Sequence, residues 1–261
     1  MVEIEIINGC FLRRSGGQNK PKILCLAGFA DNGEMFTPLF VTKLADEFDI
    51  IAVDLPGFGV SPRRENIETI DDYGKCVIEL AHVISPDAPV GLVGHSIASA
   101  IAVSAARQSP SSISGLFSIE GNLTQDDAYF SATAADWDDP VDFKNHFLER
   151  TLVKAQTEPI LRRYFAAALI SDPIAVWNLG RDAKTISKDD AVGKDYLSLT
   201  VPNLYYWSKD NTPEATQAFI ASHGMNNIEY TDASHWPTVD ASNETAELIS
   251  GFFSALPAQH P

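Results

Sequence analysis

The chain has 261 residues, 45% of them hydrophobic and 21% charged, which is globular composition and suits one large α/β domain or a core with an inserted subdomain. Nineteen basic against 35 acidic residues give a net charge of −16, which argues against nucleic acid and anionic membrane surfaces as partners, since both call for a basic face. No apolar run approaches the roughly 20 residues of a membrane span, and the three cysteines, Cys10, Cys25 and Cys76, form no CxxC pair. A reducing, cytoplasmic setting is therefore expected, with no disulfide and no metal site.

Residues 2–14 alternate as one or two strands rather than as a signal peptide, and a turn over 16–21 follows. Lys22 to Ala27 is a buried strand that ends in Gly28-Phe29-Ala30-Asp31-Asn32-Gly33. Met35 to Phe48 contains helix, and Asp49 to Val53 is the next strand. A tight loop over 54–61 leads to a helix over 70–84, where Ile70, Tyr73, Val77, Leu80 and Ile84 share one face. Val90 to Val93 is a short strand and Ala98 to Ala106 a helix of small residues. Ile113 to Ile119 is another strand. From about Leu123 to Thr200 no strand is evident; helical stretches fall near 140–155, 158–170 and from Pro173. Pro202 to Trp207 and Asn227 to Thr231 return to strand, with helices over 212–223 and 241–256. The alternation predicts a mostly parallel sheet covered on both faces. The helical insertion falls where it would lie over the carboxyl ends of the strands, as a lid.

Between the strand at 90–93 and the helix at 98–106 lies Gly94-His95-Ser96-Ile97-Ala98. A strand that turns at once into a helix puts one residue in a strained conformation at the tip, and its neighbours two positions away must be small. Gly94 and Ala98 meet that need, with Ser96 at the tip. Of the six histidines, His82 falls in a helix, His95 in this turn, His146 in the insertion and His260 in the tail, while His223 ends a helix. His235 stands in Asp232-Ala233-Ser234-His235-Trp236-Pro237, after the last strand, where a base can reach a nucleophile on a neighbouring strand end.

These segments resemble the α/β-hydrolase superfamily: the nucleophile elbow at 94–98, the loop Asp54-Leu55-Pro56-Gly57-Phe58-Gly59-Val60-Ser61, the apolar-His-Gly-aromatic segment at 26–29 with Ala27 in place of His, and the histidine loop. The resemblance covers about 20–122 and 200–256. It implies a core of 1–122 and 200–261 with a helical cap at 123–199. It implies Ser96 as nucleophile, His235 as base and the N–H groups of Phe29 and Ile97 as oxyanion hole, with no metal or organic cofactor. The acid has two candidates. Relatives commonly carry it after the strand at 202–207, where Asn211 takes the expected place and Asp210 falls one short. In a known variant it follows the strand after the elbow, which here gives Glu120. A carboxylate directly after the apolar run 115–119 has little structural excuse, so Glu120 is the favoured acid. The implied reaction is hydrolysis of a carboxylic ester, or of a related acyl bond such as a thioester or lactone, of a small, mainly apolar molecule by a monomer or homodimer; a carbon–carbon bond adjacent to a ketone is open on the same triad. A ligand-binding, lyase or cofactor-free oxygenase relative of the same fold is the alternative. Serine at 96, rather than aspartate, argues against dehalogenation and epoxide opening.

Overall fold

The computed structural model of the protein describes residues 2–17 and 19–256. Met1, Gln18 in the 16–21 turn, and 257–261 with His260 lie outside the described residues. The fold is built on one eight-stranded sheet with the order β1-β2-β4-β3-β5-β6-β7-β8. An N-terminal hairpin of β1 (Glu3–Ile7) and β2 (Cys10–Arg14) pairs antiparallel with itself and with β4 (Asp49–Asp54). All other pairs are parallel, through β3 (Lys22–Leu26), β5 (Val90–His95), β6 (Ile113–Ile119), β7 (Asn203–Ser208) and β8 (Asn227–Tyr230). Every residue of β4 and β5 is buried, as strands covered on both faces must be.

The helix expected within 35–48 is two pieces, a 3-10 segment Gly33–Val41 and α1 (Leu44–Glu47). Pro38 lies inside the first and cannot donate to an α-helical ladder. Helix α2 (Ile70–Ile84) starts at a capping box, in which the Thr69 hydroxyl accepts the Asp72 N–H and the Asp72 carboxylate accepts the Thr69 N–H. Helix α3 (Ala98–Gln108) is buried from Ala98 to Ala106. Its small side chains let α2 approach so closely that a Cβ on Gly74 would stand 2.7 Å from Ser104 Oγ.

Between β6 and β7 the chain is helical: α4 (Pro140–Ala155), α5 (Pro159–Ile170), α6 (Pro173–Ile186) and α7 (Ala191–Ser198), preceded by 3-10 turns. Three of these helices begin at proline, where the missing N–H has no helical partner to lose. The last three helices are α8 (Glu214–His223), α9 (Pro237–Asp240) and α10 (Ser242–Ser254). All three cysteines are free and buried, and the fold brings Cys10 Sγ within 3.9 Å of Cys76 Sγ, a proximity that their spacing of 66 positions conceals.

Candidate active site

Ser96 stands at the junction of β5 and α3 with φ +54°, a left-handed conformation that only a forced turn imposes on a non-glycine residue. Its surroundings explain the glycines. A Cβ on Gly94 would meet Ser99 Cα at 2.8 Å, and one on Gly28 would meet Ser96 Cβ at 2.9 Å. One on Gly121 would meet Ser99 Cβ at 2.3 Å. The Ser96 N–H donates to Ile119 O at 2.8 Å, fastening the elbow to β6. The loop at 54–61 packs against the start of α6, where the Asp172 N–H donates to Gly57 O at 2.7 Å. Asp54 accepts the N–H groups of Gly33 and Val60, and the Ser61 hydroxyl donates to Asp54 O.

Glu120 follows β6 at φ +43° and is 7% exposed. Its Oε2 accepts a hydrogen bond from His235 Nδ1. Its Oε1 accepts from Tyr230 Oη (2.5 Å), Asn211 Nδ2 (3.1 Å) and the Ser208 N–H (3.2 Å). Burial works to raise the carboxyl pKa. The charge of His235 and the hydrogen bonds from His235, Tyr230 and Asn211 outweigh it, and the net shift is downward. Asp210, the rival acid, is exposed. Asn211, in the place where relatives carry the acid, donates to Glu120 instead.

His235 sits between β8 and α9 with its side chain 30% exposed. Its backbone carbonyl accepts from His95 Nε2 at 2.7 Å, so the proton of the His95 imidazole is on Nε2. The two rings lie 4.6 Å apart. Burial, then the proximity of His235, drives the His95 pKa well below its ordinary value, and this histidine stays neutral. Ser96 Oγ makes no hydrogen bond to His235 among the described residues.

Ser96, His235, Glu120 and Phe29 line one cavity of about 320 Å³ at the carboxyl ends of the central strands. The N–H groups of Phe29 and Ile97 donate to no acceptor among the described residues. Phe130, Leu161, Tyr164 and Trp236 give the cavity an apolar wall, while Asn122, Asp127, Arg150 and Lys154 make it polar elsewhere. Of the insertion aromatics, Tyr129, Phe130 and Tyr164 reach the cavity. Phe143 and Phe147 pack on Phe29, and Trp137 and Trp177 pair with His146 and Arg181. No group of three or more His, Cys, Asp or Glu side chains suited to a metal occurs among the described residues, and no helix there is long and apolar enough to cross a membrane.

A strained serine between a parallel strand and a helix, with a histidine and a carboxylate arriving from later strand ends, defines the class of α/β proteins organised around a nucleophile elbow. The family model for the alpha/beta hydrolase fold matches residues 21–172, and the chain belongs to that family. Among curated proteins, it is 26% identical over 251 residues to a bifunctional biotin-biosynthesis protein of Teredinibacter turnerae, an alignment covering 84% of this chain and 41% of that protein. The chain spans less than half the length of the curated relatives it matches. Among solved structures, a thermophilic esterase from Thermogutta terrifontis superposes with TM-score 0.72 at 17% identity, over 97% of this chain and 98% of that one. An enol-lactonase from Burkholderia xenovorans gives TM-score 0.74 at 18% identity, over 97% and 100%. At such identities these two likenesses carry the fold alone.

Proposed function

We propose that the protein is a serine hydrolase of carboxylic esters that works through an acyl-enzyme. Ser96 attacks the ester carbonyl while His235 takes its proton. Glu120 holds the imidazole in the productive tautomer and stabilises the imidazolium. The Phe29 and Ile97 N–H groups receive the developing oxyanion, His235 protonates the leaving alcohol, and water repeats the sequence to release the acid. Residues 123–199 act as a lid over this chemistry. The observation that carries the reading is the paired arrangement of His235 Nδ1 on a fourfold hydrogen-bonded Glu120 beside a serine at φ +54°. Such an arrangement has no evident packing role and costs backbone strain at two positions.

The apolar wall of Phe130, Leu161, Tyr164 and Trp236 suits the hydrocarbon part of an ester, open or cyclic. The esterase and enol-lactonase among the structural neighbours are named for the same bond class. The test is a panel of p-nitrophenyl esters and small lactones, with intact-protein mass spectrometry on a quenched reaction. Turnover with an acyl group on Ser96, lost in Ser96→Ala, supports the proposal. Full turnover by Ser96→Ala contradicts it.

A further inference from the structure

We infer that Arg163 and Tyr164, on the second helix of the insertion, are positioning residues for the oxyanion hole, so that the hole is assembled only while α5 is docked. The inference rests on the proposed role of the Phe29 N–H. It follows from how the loop carrying that N–H is held. Gly28 to Asp31 leave β3 in a tight turn closed by Asp31 N–H to Gly28 O at 3.1 Å. Within that turn Ala30 takes φ +55°, a conformation disfavoured for alanine and sustained only by outside restraint.

The restraint comes from α5. Tyr164 Oη donates to Phe29 O at 2.7 Å, across 135 positions of sequence. Arg163 grips the Asp31 carboxylate with both terminal nitrogens, Nη1 to Oδ1 at 3.0 Å and Nη2 to Oδ2 at 2.7 Å. The Asp31 side chain is 1% exposed, and the Arg163 fork is the cation paired with it inside the fold. Arg163 also reaches Glu34 at 3.3 Å. Asp31 Oδ2 accepts a further hydrogen bond from Trp236 Nε1 at 2.9 Å, and Trp236 follows His235 directly. The Tyr164 and Trp236 rings lie 5.2 Å apart. One helix of the insertion thus ties the oxyanion loop to the histidine loop. Neither Arg163 nor Tyr164 is needed to hold Ser96, which the sheet and α3 already fix.

The experiment compares wild type with Tyr164→Phe, Arg163→Met and the conservative Arg163→Lys. The readouts are kcat and KM on a p-nitrophenyl ester, affinity for an aryl trifluoromethyl ketone, and amide hydrogen exchange in the peptide spanning residues 28–31. The ketone takes up the serine as a hemiketal whose oxyanion occupies the hole. Tyr164→Phe is expected to lower kcat and ketone affinity together by about tenfold with KM within about twofold, and Arg163→Met by more. Arg163→Lys is expected to recover part of the loss. Exchange at 28–31 is expected to quicken by about tenfold in Tyr164→Phe and Arg163→Met, while β3 stays protected. Unchanged ketone affinity, or losses that track only the melting temperature, overturn the inference. If the wild type neither cleaves esters nor binds the ketone, the hydrolase reading fails and exchange alone decides: faster exchange at 28–31 sustains the brace, and unchanged exchange overturns it.

Discussion

Ser96 and Phe29 line the same cavity, yet they are held there by different means. Ser96 is fixed by backbone and by the absence of side chains: its N–H binds Ile119 O, and Gly28, Gly94 and Gly121 leave no room for a Cβ. Its restraints come from the sheet and from α3, whose small residues bury completely. Phe29 is fixed by side chains from far along the sequence. Its carbonyl is bound by Tyr164, its ring is packed by Phe143 and Phe147, and its neighbour Asp31 is gripped by Arg163 and Trp236. The proposed nucleophile is thus held by the core, while Phe29, one of the two proposed oxyanion donors, is held by the insertion. A change in the groups that support Ser96 should act through folding, and a change in those that support Phe29 through chemistry in a folded protein.

The largest expected effect tests the proposed relay. Glu120→Gln should lower kcat on a p-nitrophenyl ester by about 10³–10⁴, because the amide disrupts the imidazole tautomer that the carboxylate holds. Asp210→Asn should stay within about twofold of wild type, and the reverse ranking would move the acid to Asp210. Next in size is the support of Ser96. Gly121→Ala forces a methyl into Ser99 and should destabilise the fold by about 1–3 kcal/mol in a denaturant titration. The Tyr164→Phe and Arg163→Met comparison above sharpens the contrast from the other side.

The smallest effect is in pH dependence. The His95 pKa is depressed in the folded protein, so below about 6.5, the ordinary histidine value, the unfolded chain binds a proton that the folded protein refuses. The contribution of neutral His95 is therefore fully present above that pH and is lost as pH falls. Its slope reaches at most about 1.4 kcal/mol per pH unit for one proton. His95→Gln should show a shallower loss of stability than wild type between pH 6.5 and 5, and parallel curves would remove His95 from the account.

The same contrast decides what the sequence makes legible. The elbow is local: the glycine, serine and alanine spacing of 94–98 follows from one tight turn, and it reads directly as a motif. His235 reads from its place after the last strand, and Glu120 from a carboxylate at the end of an apolar run. What stays hidden is long-range. Tyr230, Asn211 and Ser208 converge on Glu120 only because β6, β7 and β8 are neighbours in the sheet. Asn211 carries the one available signal, an amide standing where relatives carry their acid. Arg163 reads in sequence only as part of the helical stretch near 158–170, and Tyr164 as an insertion aromatic that lines a pocket or packs on the core; nothing within α5 reports Asp31 or Phe29. The imidazole of His95 reads as part of the elbow, while its bond to the His235 carbonyl spans 140 positions.

The most direct measurement is labelling of the purified protein by a fluorophosphonate, followed by peptide mass mapping, with Ser96→Ala as control. Phosphonylation at Ser96 requires an activated hydroxyl, a working base and donors for the developing oxyanion at once. Rapid labelling confined to the peptide containing Ser96, and absent from Ser96→Ala, is the expected result. A folded protein that takes no label, or takes it equally in Ser96→Ala, would contradict it.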